Sequence, residues 1–229
     1  MINRPRLLEL FCEFAKKIEA IHSLYLDSVV GYSVLHERLL EHQDQMQVIL
    51  GNLETATREF QNTCHIAYGD LSNRDFQAVS MSPMMLQGAL AKRVSDDGEN
   101  TLLLGNQCII TAYTYWEEYL RLEIGKALGK LSLDATLTED NKKILNKYVK
   151  SDFWGDLRYL RHSIVHGNGI ATSDMAHCKL IKWFKPGEPI VLTHERMQAI
   201  FMCMGEYRNA IHQWSLPPPR KMRIPISKS

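Results

Sequence analysis

Arg161 and His166 are the two side chains whose types and spacing most directly suggest chemistry. They stand in the run Arg161-His162-Ser163-Ile164-Val165-His166-Gly167. An arginine offers a rigid fork of donors to a phosphate and keeps its charge. A histidine titrates near neutral pH and moves protons. The combination can cleave RNA without a metal. The ribose 2′-OH is activated against the adjacent phosphorus while the arginine stabilises the developing charge. The products are a 2′,3′-cyclic phosphate and a 5′-hydroxyl. DNA lacks the attacking hydroxyl and cannot react this way. Spacing alone is weak evidence. A histidine in the last turn of a helix also suits the helix dipole, and a nearby arginine is often only solvated.

Five residues of α-helix turn about 500°, so the side chains at 161 and 166 point about 140° apart. One helix therefore does not aim both at one small target. Two such helices in a symmetric pair can, because their four side chains converge on the crevice between protomers. A catalytic role thus predicts a composite site in a homodimer.

The elements that must position this run are helical. Leu7, Leu10, Phe11, Phe14, Ile18, Ile21 and Tyr25 recur at steps of three and four, predicting a helix over about 5–26. A second run at about 28–62 carries Val34, Leu35, Leu39, Met46, Ile49 and Leu53, with Gly51 as a possible interruption. His36 and His42 in that run are read as solvent-facing. Residues 69–100 are less regular, with turns at Gly69-Asp70 and Ser72-Asn73, a cap at Ser82 before Pro83, and a loop at 95–100. The strongest pattern covers about 102–129, where Ile109, Tyr113, Trp116, Leu120 and Ile124 form a stripe and Glu117 pairs with Arg121 at i,i+4. Another helix starts near Thr138. A break at Ser151-Asp152 precedes the motif-bearing helix, which Gly167-Asn168-Gly169 terminates.

Beyond 175 the pattern changes. Two short runs, CKLIKWF and EPIVLTH, flank Lys185-Pro186-Gly187 and predict a β-hairpin at about 178–193. A last helix is expected over about 194–214, with Met197, Ile200, Phe201, Met204, Tyr207 and Ile211 on one face. Residues 216–229 read as a flexible basic tail. The chain is thus expected to be mostly α, a single helical domain over 1–215. Its long N-terminal helical pair packs on the motif-bearing core of about 100–172, and a small β-hairpin lies near the C-terminus.

Composition narrows the function classes. A net charge of +1 over 229 residues gives no global basic field, so any nucleic-acid site must be local. Five cysteines, an odd number without a CxxC pair, read as reduced thiols rather than disulfides or a zinc centre. The charged N-terminus has no signal-like apolar region, and no window is long and apolar enough for a membrane span. The expectations are a cytoplasmic location, no membrane, no metal and no cofactor.

The segment LRYLRHSIVHGNGIA resembles the Arg-x4-6-His element of the HEPN superfamily, and the upstream ITAYTYWEEYLRLEI resembles that family's long aromatic- and acid-bearing helix. The similarity spans about 100–172, and the rest of the chain only in outline. It implies a HEPN-like helical bundle that dimerises with its motifs face to face. It also implies a metal-independent endoribonuclease of the kind found in prokaryotic toxin and anti-phage systems, with RNA as substrate and an antitoxin or regulatory protein as a possible partner. Arg161 and His166 carry over as catalytic. Position 162, often Asn in the family, is His here, and His162 is a supporting candidate. Glu117 and Glu118 could orient the motif from the neighbouring helix, or simply form surface pairs. Arg158 could widen a basic lip and Asn168 could touch RNA, or serve only the turn. Trp183 and Phe184 are candidates for base stacking, against the more ordinary reading of buried hairpin packing. A non-catalytic HEPN-type module that binds RNA, a nucleotide or a protein remains open, as does a helical regulator with an accidental motif.

Overall fold

The structure, a computed structural model, describes residues 2–51, 53–54, 57–71 and 84–215. It is mostly helical. The first element is one helix, not a pair: α1 runs unbroken from Arg4 to Leu50 and is about 70 Å long. Asn3 starts it by accepting the Arg6 N–H, and Pro5 sits in the first turn, where its missing N–H costs nothing. No glycine or proline pair interrupts 26–28, so the two apolar runs fuse. Gly51, at φ 63°, ends the helix.

The two halves of α1 serve different cores. Leu7, Leu10, Phe14, Ile18, Ile21 and Tyr25 are buried against α4 (Glu99–Tyr115) and α8 (His194–Ser215). The distal half buries only Leu39 and Gln43, while Val34, Ile49 and Leu53 of the expected stripe are exposed. His36 and His42 are half-buried rather than fully solvent-facing. Leu39 joins a small cluster with Ile66, Leu71, Leu90 and Val94. That cluster is built from α2 (Arg58–Gln61), β1 (His65–Ala67), β2 (Met84–Leu86) and α3 (Gln87–Val94) with their connections. The strands pair antiparallel, with His65 opposite Leu86 and Ala67 opposite Met84. Three-residue strands are too short to show alternation in the sequence. The turn read at Ser72-Asn73, the cap at Ser82 and the tail 216–229 lie outside the described residues.

The expected helix at 102–129 is present with an internal irregularity. α4 passes into a π-helical turn, Trp116–Leu120, and continues as α5 (Arg121–Ala127). All five residues of its stripe are buried. α6 (Glu139–Tyr148) begins at the expected cap Thr138, and α7 (Asp152–His166) begins at the expected break, where Ser151 caps it. Trp116 and Trp154 stack at the centre, ring centroids 4.9 Å apart, and Tyr207 of α8 meets both edge-on.

The β-hairpin expected at 178–193 does not form. The turn itself does: the Glu188 N–H donates to the Lys185 carbonyl at 3.0 Å, with Gly187 at φ 89°. What fails is pairing between the two runs. The N–H groups of Lys179, Leu180 and Ile181 donate instead to the Asp156 carboxylate of α7. The second run pairs with the exit of α7, through Ala171 N–H to Glu188 O, Gly187 N–H to Ala171 O and Ile190 N–H to Gly169 O. The apolar residues Ile181, Phe184, Ile190 and Leu192 bury against the helical core. Their types reflect burial rather than strand pairing. Among the described helices none is long and apolar enough to cross a membrane.

Candidate functional site

α7 carries two faces. Phe153, Asp156, Leu157, Leu160 and Ser163 point into the core. Arg158, His162, Val165 and His166 are exposed. Steps of four residues turn only about 40° beyond a full circle, so Arg158, His162 and His166 descend one outer face. The His162 and His166 rings lie 4.9 Å apart. Arg161 falls between the faces and is half-buried. Its Nε is shut off from solvent and finds no hydrogen-bond partner among the described residues. No hydrogen bond or ion pair joins Arg161 to His162 or His166 among the described residues, and on the helix the side chains at 161 and 166 point about 140° apart.

The acids of α7 are engaged elsewhere and do not pair with Arg158, Arg161, His162 or His166. Asp152 binds the Lys179 ammonium at 2.6 Å. Asp156 is buried and saturated by the three backbone N–H groups of 179–181. Arg158 lies over the ring of Tyr159, 4.7 Å from its centroid. Arg158 therefore keeps an unpaired positive charge on the outer face of α7, above the two imidazoles, on a chain with a net charge of only +1.

The helix ends by fixed geometry. Asn168 (φ 51°) and Gly169 (φ 77°) take left-handed conformations. The Gly169 N–H reaches back to Ser163 O at 3.2 Å. A Cβ on Gly167 would run into the Ile170 carbonyl and lie 2.7 Å from Ser163 O, so the close approach requires glycine. Asn168 thus serves the turn, and it is exposed. The Ser163 hydroxyl accepts the Thr172 N–H at 3.0 Å and bonds the Thr172 hydroxyl at 3.1 Å, locking the exit segment onto the helix.

The glutamates of the neighbouring helix engage other partners. Glu117 accepts from the Arg121 guanidinium at 2.9 and 3.1 Å and from the Tyr113 hydroxyl at 3.4 Å. Arg121, nearly buried, also donates to the Val149 carbonyl at 3.2 Å and to Asn146 Oδ1. None of the Glu117 hydrogen bonds goes to Arg161 or His166. Burial, together with the Glu117 charge, pushes the Tyr113 phenol far above its ordinary range, so it stays neutral and donates. Glu118 is exposed on the π-turn. Phe184 is buried and Trp183 half-buried. Arg196 covers both rings, at 4.8 and 5.9 Å from their centroids, so this pair is structural packing.

Sequence reasoning missed Asp156, Ser163 and the burial of Arg121. Asp156 and Ser163 occupy the same helical phase as Phe153, Leu157 and Leu160. A polar residue at a core-facing position of a clean stripe was the available signal. Comparison with family models, with curated proteins and with solved structures finds no match for this chain.

Proposed function

We propose that the chain is a metal-independent endoribonuclease of HEPN type, working as a homodimer whose cleft brings the two α7 C-termini together. The observation that carries this reading is the state of Arg161. Arg161 is half-buried and has no ion pair among the described residues, and the terminal N–H groups of its guanidinium, unlike the enclosed Nε, are open to an incoming phosphate. His166 stands exposed on the adjacent face as the proton-transfer group of each protomer, with His162 beside it in support. In the reaction, a histidine takes the 2′-OH proton as the 2′-oxygen attacks phosphorus. The phosphorus–O5′ bond breaks, and a proton returns to O5′ from a second histidine. Arg161 neutralises the phosphorane charge. Exposed Val165 and Ile170 flank this face and supply apolar surface for the symmetric contact. A role as a toxin or anti-phage effector, restrained by an antitoxin or regulatory protein, follows from the same resemblance.

The test is incubation of purified protein and its His166→Ala variant with total RNA in EDTA. Wild-type cleavage above the variant, leaving 2′,3′-cyclic phosphate ends, is the expected result. Equal background from both proteins sinks the proposal and leaves a non-catalytic binding module.

A further inference from the structure

A cavity of about 290 Å³ opens at the seam between the main core and the small distal cluster. Val29 of α1 packs against the main core, and Tyr32 on the same helix packs against the small cluster. Both are half-buried and both line the cavity. Asp96 and Asp97, in the connection from α3 to α4, line it as well. Both acids are exposed, and neither has an ion pair among the described residues. The two cations just upstream are engaged elsewhere. Lys92 pairs with Glu99 at 3.0 Å, and Arg93 donates to the Tyr68 hydroxyl and the Met85 sulfur.

The positive N-terminal ends of α4 and α8 lie beside these acids, and two other carboxylate contacts already answer them. Glu99 sits in the first turn of α4, and Asp97 Oδ1 accepts the His194 N–H at 2.6 Å where α8 begins. The Asp96 carboxylate has no such task and no partner among the described residues. Thr101 is the second, independent observation. It is 3% exposed and lines the same cavity, and its hydroxyl makes no hydrogen bond among the described residues. Its oxygen is not sealed off from solvent as Arg161 Nε is. A buried hydroxyl without a partner is unfavourable, and a ligand donor that reaches it removes that penalty.

We propose that this cavity binds a small aliphatic amine, its protonated amino group held by Asp96 and Thr101 and its stem lying on Val29 and Tyr32. An ammonium brings three donors and no acceptor. The cavity offers the converse, a free carboxylate with the hydroxyl oxygens of Ser33 and Thr101. No lysine or arginine lines it, and its one imidazole, His194, is tied to the Tyr25 hydroxyl at 3.4 Å. An anion would therefore meet two carboxylates and no free cation. A neutral molecule would leave the Asp96 charge unmet. The volume lies just under the usual range for ligand pockets, about 300–1,000 Å³, which suits a diamine or a short polyamine. Because the cavity joins two cores, an occupant should also steady the seam. The inference is independent of the ribonuclease reading, so either can fail without the other.

Calorimetry on the full chain measures binding of putrescine and spermidine. Butanediol serves as the uncharged analogue of putrescine, acetyl-lysine amide stands in for a lysine of a partner protein, and sodium chloride matches the ionic strength. At least one free amine is expected to bind with Kd between about 10 µM and 1 mM, at least about tenfold tighter than butanediol. Asp96→Asn is a surface change that leaves the α8 cap in place, and should weaken binding about tenfold. Thr101→Val keeps the shape and removes only the unmet hydroxyl, so it should weaken binding about threefold or more without lowering Tm. Hydrogen exchange across residues 94–101 should slow when the amine is bound. The proposal is overturned if no amine binds, if butanediol binds as well, if matched sodium chloride abolishes binding, or if Asp96→Asn binds like the wild type. Acetyl-lysine amide binding about tenfold tighter than either free amine would also overturn it, and would make the cavity a docking pocket for a protein lysine.

Discussion

His162 and His166 face each other across one turn of α7, with ring centroids 4.9 Å apart and planes inclined at 42°. Each protomer therefore presents two imidazoles on one exposed face, while the arginine of the motif lies off that face. If His166 is the essential proton-transfer group, His166→Ala is expected to lower the RNA cleavage rate by about 10²–10⁴-fold. His162→Ala should cost about tenfold, and His162→Asn should restore most of that loss, because an amide keeps the hydrogen-bonding capacity but moves no proton. Equal, large losses for His162→Ala and His162→Asn would make His162 a second proton-transfer group.

Arg161 is the converse case, a side chain whose removal should help the fold. Its buried Nε has no partner, and an unmet donor of this kind costs about 1–3 kcal/mol. Arg161→Met retains the apolar stem and drops the unmet donor. Cleavage is expected to vanish while Tm stays level or rises, by up to about 12 °C if the whole cost of the unmet donor is recovered, on the usual scale of about 2–4 °C per kcal/mol for a domain of this size. A clear fall in Tm would show that Arg161 holds the fold together and is not reserved for a ligand.

The helical architecture was legible because its stripes are long. Leu7 to Tyr25 (all but the half-buried Phe11), Ile109 to Ile124 and Met197 to Ile211 are buried where the 3.6-residue period puts them. The start at Thr138 was legible because a cap satisfies local N–H groups by local chemistry, and the break at Ser151-Asp152 was legible although the capping role of Ser151 was not read. What the sequence hid depends on distant partners. The run at 178–184 has strand-like residues, but Asp156, more than twenty positions earlier, takes the N–H groups a partner strand would need. The π-turn leaves no mark in composition. At the site, the spacing of 161 and 166 gave their divergence correctly. The closeness of His162 to His166 was implicit in their i,i+4 spacing, whereas the burial of Arg161 emerged only in three dimensions.

The same Asp156 yields a stability prediction. Its carboxylate receives Lys179 N–H at 2.9 and 3.0 Å, Leu180 N–H at 2.6 Å and Ile181 N–H at 2.8 Å, all to a side chain that is otherwise buried. Asp156→Ala leaves those N–H groups without an acceptor and should cost about 3 kcal/mol. Asp156→Asn keeps one acceptor oxygen but turns an amide group toward donors, so it should cost nearly as much. Thermal unfolding measures the loss. Hydrogen exchange should place faster amide exchange in 179–192 while α1 and α4 keep their protection. Uniform loosening throughout the chain would contradict the assigned role.

Glu123 links α5 to the start of α1, accepting from Lys126 at 2.9 Å and from Arg6 at 3.2 Å. Burial opposes its charge, but these two hydrogen bonds outweigh that effect and hold its carboxyl below the ordinary value of 4.5. A carboxyl lowered on folding stabilises the native state above its unfolded pKa, and loses that contribution as pH falls through the folded value. Glu123→Gln is expected to cost about 1 kcal/mol at pH 7. The gap between wild type and variant should begin to close as pH drops below about 4.5 and disappear in stronger acid. Urea unfolding at a series of pH values reads the difference directly. A gap that persists unchanged at the acid end would mean that packing, rather than charge, makes the Glu123 contact matter.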